Sequence, residues 1–165
     1  NNRQLNVRLF AGAFLFNDTK QSDDFFSFAL DRPTDYLFDY AYYGRSEDAG
    51  LFSQQLIEAE GGFKSNLEVA YANSWMTTIN ASTNIWRWIL IYADAGLANN
   101  TNTGTKAVFD SGVRINLVQN YFEVYFPLYS SLGWEPGQDN YDQKIRFKIT
   151  LSPKTLLGLF TREWY

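Results

Sequence analysis

Apolar and polar residues alternate in steps of two along much of this chain. Val113, Ile115 and Leu117 interleave with Arg114 and Asn116, and Phe122, Val124, Phe126 and Leu128 with Glu123 and Tyr125. Ile145, Phe147, Ile149 and Leu151 interleave with Lys144, Arg146 and Lys148. Successive side chains of a strand point to opposite faces, so each segment has one apolar and one charged face. Charges that recur on one face of neighbouring strands, opposite a face rich in aromatics, suit a barrel with a polar lumen and a lipid-facing exterior. The pattern predicts an all-β, antiparallel up-and-down transmembrane β-barrel of about 8–10 strands. It would fold as a single domain over residues 1–165, with room for a short C-terminal helix.

The predicted strands cover residues 5–16, 24–31, 34–44, 63–80, 85–97 and 143–151, together with a hairpin about Gln119-Asn120. Arg32-Pro33 ends the second strand, because proline cannot donate to a ladder. In the third, Tyr36, Phe38, Tyr40 and Tyr42 share a face and fit a membrane-interface girdle. Residues 51–60 read either as a helix ended by Gly61-Gly62 or as one arm of a hairpin turning there. The hairpin is preferred, with Leu56 facing Leu67 and Phe52 facing Tyr71. Leu67, Val69, Tyr71 and Trp75 line one side of the next strand, and Trp86, Trp88, Leu90 and Tyr92 one face of the strand after it. Residues 98–105 and 133–141 read as polar loops. Turning at Gln119-Asn120 pairs Leu117 with Phe122, Ile115 with Val124 and Val113 with Phe126, and sets Asn116 opposite Glu123 and Arg114 opposite Tyr125. Ser152-Pro153 reads as the N-cap and first residue of a helix carrying Leu156, Leu157 and Phe160. Short turns of such barrels face the periplasm, which would put Gln119-Asn120 there and the two polar loops outside.

Composition narrows the chemistry. The chain is 18% aromatic, yet no apolar run approaches the ~18 residues of a spanning helix. With 0 histidines and 0 cysteines it can assemble no Ser-His-Asp or Cys-His nucleophile, no imidazole zinc site and no thiolate site. This chain is therefore expected to be no enzyme and to need no cofactor. A net charge of −4 with dispersed basic residues argues against nucleic acid as a partner. The first residues enter a strand directly and lack the basic, apolar and small-residue sections of a leader, so a fragment of a longer protein is expected.

Arg114, Glu123, Lys144, Arg146 and Lys148 fall on one predicted face of neighbouring strands. They form either a constriction that binds an anion or, preferably, a lumen filled by mutually satisfied ion pairs. Asp35, Asp39, Glu58, Glu60, Asp94 and Asp110 have no metal-loop spacing and read as loop ends or lumen partners of the bases. Trp86, Trp88, Trp134 and Trp164 are too scattered for a sugar-stacking set. With Tyr36, Phe38, Tyr40, Tyr42, Trp86, Trp88, Phe122 and Phe126 facing lipid, the expected partner is a bilayer.

Several segments resemble a known family. They are Asp35-Tyr36-Leu37-Phe38-Asp39-Tyr40, Tyr43-Gly44-Arg45-Ser46-Glu47, Leu51-Phe52-Ser53-Gln54-Gln55, the run from Tyr125 to Glu135, Lys144-Ile145-Arg146-Phe147, and Leu151 to Leu156 with Leu159-Phe160-Thr161-Arg162. Together they resemble the C-terminal region of large secreted gluzincin (aminopeptidase N-like) metallopeptidases of Gram-negative bacteria. The resemblance implies an H-E-x-x-H zinc motif upstream, and none of it falls in a chain without histidine. The expected role is a non-catalytic barrel in the bacterial outer membrane, holding an upstream catalytic domain or other envelope proteins. The alternatives are a small anion-selective pore, and a soluble lipocalin-like barrel with an apolar ligand inside.

Overall fold

In the computed structural model, residues 3–17, 26–31, 56, 58–118 and 121–150 are described. The strands are β1 (Leu5–Ala13), β2 (Phe28–Ala29), β3 (Tyr71–Ala72), β4 (Trp75–Asn84), β5 (Ile89–Asn100), β6 (Gly104–Val118), β7 (Phe122–Ser130), β8 (Gly133–Trp134) and β9 (Arg146–Ile149). Seven of them form one antiparallel sheet in the order β1-β4-β5-β6-β7-β8, with β9 also paired to β7, and β2 pairs with β3 alone. The all-β antiparallel expectation holds. A closed barrel is not seen among the described residues, where β1 forms one edge of the sheet and β8 with β9 the other.

Alternation produces this sheet. Along β5, Ile89, Ile91 and Leu97 are exposed while Leu90, Tyr92, Asp94, Ala98 and Asn100 are buried. Pairing carries the pattern sideways in rows. On one face Leu9, Ile79, Ala95 and Phe109 sit side by side, and on the other Arg8, Asn80, Asp94, Asp110 and Ser130 do. The outward face is apolar, with Leu9 75% exposed, and the covered face carries both an apolar core and the buried polar residues.

The predicted β6–β7 register is correct for Val113–Phe126, Arg114–Tyr125, Ile115–Val124 and Asn116–Glu123. Two irregularities depart from it. Val118, not Leu117, pairs with Phe122, and Leu128 has no partner because Ser111 faces Tyr129 while Gly112 faces Pro127. Each extra residue bulges its strand. Pro127 lies beside one such bulge, where a missing N–H costs least. Gly112 is required where it stands. A Cβ there would lie 2.2 Å from Phe126 O and 2.6 Å from Tyr92 Oη, so the phenol of its cross-strand partner occupies the space.

The segment between β2 and β3 overturns another expectation. Residues 63–70 form no strand, and 58–62 form no arm of a hairpin at Gly61-Gly62. Irregular backbone runs across the polar face of the sheet instead, with its polar groups satisfied by side chains and neighbouring loops. Gly61 N donates to Ala29 O at 2.8 Å, Phe63 N to Leu30 O at 3.1 Å, and Leu67 N to Asp31 Oδ2 at 2.9 Å. Leu56 N bonds Phe147 O, so Leu56 packs with Tyr92 and Tyr125 rather than opposite Leu67. Gly62 has φ +73°, and a Cβ there would strike the Arg8 guanidinium and the Asn80 amide.

Other boundaries shift. β1 stops at Ala13, short of Phe16, and β5 begins at Ile89, so Trp86 and Trp88 lie in the β4–β5 turn, where Ile85 N and Trp86 N both bond Ile89 O. Residues 98–105 shrink to a turn at 101–103 between long strands. The last strand keeps only β9, because Tyr141–Lys144 is a helical turn. Within the predicted strand 24–31, the described part forms only β2. The strand at 34–44 and the helix after Ser152 lie outside the described residues.

Candidate functional site

The interior has two unlike ends. Toward the β5–β6 turn, Leu30, Phe63, Leu67, Ala72, Met76, Ala98 and Val108 form an apolar core, with Phe10 and Phe28 against it. Phe28 stacks on Phe14 at 4.4 Å and meets Phe10 edge-on at 5.6 Å. Toward the β4–β5 turn the same face carries charge.

The two ends meet at Asp94 and Asp110, direct partners across β5 and β6, 2% and 1% exposed. Asp110 Oδ2 accepts from the backbone N–H of Lys64 and of Ser65, both at 2.7 Å, and Lys64 Nζ reaches Asp94 Oδ2 at 2.7 Å. Two wall carboxylates thereby fasten the interior segment to the sheet. Asn80 Nδ2 adds a bond to Gly61 O at 3.0 Å, and Arg8 Nη1 donates to Asn80 Oδ1 at 3.0 Å.

Beyond this clasp lies a cavity of about 240 Å³, lined by Arg8, Glu58, Lys64, Asp94, Arg114, Lys148, Tyr92, Tyr125 and small polar residues of β1 and β4. Glu58 is its central anion. Lys148 Nζ lies 3.2 Å away and Arg8 Nε 3.9 Å. Burial alone would raise the Glu58 pKa; the Lys148 charge and hydrogen bond, with Lys64 and Arg8, outweigh it and hold the carboxyl below its ordinary value.

The sequence-predicted charges divide between two places. Arg114 Nη1 lies 3.7 Å from Glu123 Oε1, and Tyr125 donates its hydroxyl to Glu123 Oε2 at 2.7 Å. Lys148 joins them through the cavity, and Arg146, 3% exposed, pairs opposite Tyr125 on β7. Lys144 stands apart on the helical turn and donates to Glu135 at 2.6 Å and to Gln138. Glu135, 1% exposed, also accepts from Ser130 Oγ. Sequence reasoning did not group Arg8, Lys64 and Asn80 with the cluster. β1 and the interior segment are far from β6 in the chain, and only alternation at Arg8 could have hinted at an inward side chain.

Trp86 is 72% exposed, Trp88 is exposed, and Phe122 and Phe126 are half-buried on the apolar face. Tyr36, Phe38, Tyr40 and Tyr42 lie outside the described residues, as do Asp35, Asp39 and Trp164. In comparisons with protein families, characterised proteins and solved structures, no match to this chain is found.

Proposed function

We propose that this chain forms the wall of a bacterial outer-membrane β-barrel that anchors or scaffolds an upstream peptidase domain, or partner subunits, at the cell envelope. The observation that carries this reading is the polarity of the sheet: Leu5, Val7, Leu9, Ile79, Ile91, Phe109 and Ile149 point outward while Asp94, Asp110 and Arg146 are buried on the other face. A water-borne fold would bury the first set, each worth about 1.5–3 kcal/mol. From Ala107 to Leu117 the apolar face of β6 runs ten residue steps. That is roughly 33 Å along the strand and about 25 Å of height at a barrel's usual tilt, the thickness of an outer-membrane apolar band. Trp86 and Trp88 at one end of the sheet, with Trp75 and Trp134 at the other, suit the two interfaces.

An anchor fits the interior better than the rival roles. Residues 58–70 occupy the space a pore would need, and Phe63 with Leu67 fills the place of an apolar ligand. The resemblance to gluzincin metallopeptidases supplies the cargo, so any zinc chemistry would belong to an upstream domain and none to this chain. The test is fractionation of the producing cell: the protein should stay with the outer membrane through an alkaline carbonate wash and be silent in planar bilayers. Recovery in the soluble fraction removes the membrane reading; conductance steps replace the anchor with a pore. Ile79→Arg should cost about 2–4 kcal/mol in a bilayer, against less than ~0.5 on a water-facing surface.

A further inference from the structure

Four cations, Arg8, Lys64, Arg114 and Lys148, line the cavity beside the Asp94–Asp110 clasp, against two carboxylates. Of the two carboxylates that line it, Asp94 gives Oδ2 to Lys64 at 2.7 Å, and its Oδ1 is buried without a partner. Glu58 is left to serve Lys148 at 3.2 Å and Arg8 at 3.9 Å. Arg114 looks outward to Glu123, but at 3.7 Å, and the near oxygen's twin already accepts from Tyr125. Charge-assisted N–H···O bonds run about 2.7–2.9 Å, so neither guanidinium has a close carboxylate partner, and Arg8 has the neutral Asn80 Oδ1 at 3.0 Å. The Arg114 Nε is buried with no hydrogen-bond partner, and so is the Tyr92 hydroxyl. A buried donor left without an acceptor is unfavourable unless something satisfies it.

We propose that this cavity binds a small oxyanion, a carboxylate or phosphate group, with Arg8, Arg114 and Lys148 as its cationic ligands and Glu58 as the built-in carboxylate it displaces. A carboxylate or phosphate offers the several lone pairs that planar guanidinium forks take up in pairs. Glu58 keeps the cations gathered when the site is empty. Its position on the interior segment, outside every strand, lets it swing away without breaking a ladder. The site depends on the cavity alone and stands whether or not the apolar face meets lipid.

Inorganic phosphate and acetate, titrated separately into the purified full chain in detergent and followed by calorimetry, test this. Saturable binding of at least one is expected. Arg114→Gln should weaken it about tenfold or more, as loss of a charged hydrogen bond implies, and Glu58→Gln should strengthen it by removing the competing carboxylate. Lys148→Gln, at a partly exposed position, repeats the test should Arg114→Gln fail to fold. Absence of saturable binding by either anion overturns the proposal. So does binding that neither Arg114→Gln nor Lys148→Gln weakens, or that Glu58→Gln weakens, since Glu58 would then be a structural partner only.

Discussion

The two ends of the interior use the same sheet face in opposite ways. At the β5–β6 end, Phe63, Leu67, Met76 and Val108 exclude water and hold the interior segment by packing. At the other end Arg8, Glu58, Arg114 and Lys148 surround a cavity, and the segment is held by hydrogen bonds to Asp94 and Asp110. Packing is non-directional and tolerates an irregular backbone, whereas the charged end needs each acceptor in place. One end stores stability, and the other stores unsatisfied capacity to bind.

The largest effect expected from breaking this contrast is at Phe63. Phe63→Ala empties the middle of the apolar end and should cost about 3–5 kcal/mol in unfolding free energy. A cost below ~1 kcal/mol would mean that the segment is not packed into the sheet. Next, Asp110→Ala orphans the N–H groups of Lys64 and Ser65 and should cost about 1–3 kcal/mol. Faster hydrogen exchange at Lys64 and Ser65, with little change at Met76, would place that loss at the clasp. The smallest effect is a pH dependence. Glu58 has its pKa depressed in the folded state, so its contribution is fully present above the ordinary value of 4.5 and is lost as pH falls through the folded value. The thermal midpoint of the parent should exceed that of Glu58→Gln at neutral pH and converge on it in acid. A difference independent of pH would show that Glu58 acts by packing.

The sheet was largely legible in the sequence, and the interior was not. Alternation at Val113–Leu117 and Phe122–Phe126 specifies both faces and the register, because a slip by one residue would reverse every side chain. The bulges at Leu117 and Leu128 leave that alternation almost untouched, so nothing in the residue pattern betrays them. Residues 63–80 read as one strand because Leu67, Val69, Tyr71 and Trp75 all fall on one side of an alternating pattern, yet the N–H groups of Lys64, Ser65 and Leu67 donate to Asp110 and Asp31. Acceptors so distant in the chain leave no local trace. Trp86 and Trp88 alternate like strand residues although they lie in the β4–β5 turn, because a spacing of two does not mark where a strand ends. In the candidate site, Arg114 with Glu123 follows from one hairpin register. Arg8, Glu58 and Lys64 needed β1 beside β4, and residues 58–70 lying over the covered face of the sheet.

That last arrangement sets an order of assembly. β1 pairs with β4 although about 60 residues separate Ala13 from Trp75, a closure whose entropy is on the order of 3–4 kcal/mol. The meander from β4 to β7 turns on itself through loops of only a few residues and is expected to form ahead of β1. β1 is then expected to join the sheet at its edge last. Pulsed deuterium labelling during refolding should find amides of β5 and β6 protected earlier than those of Val7 and Leu9.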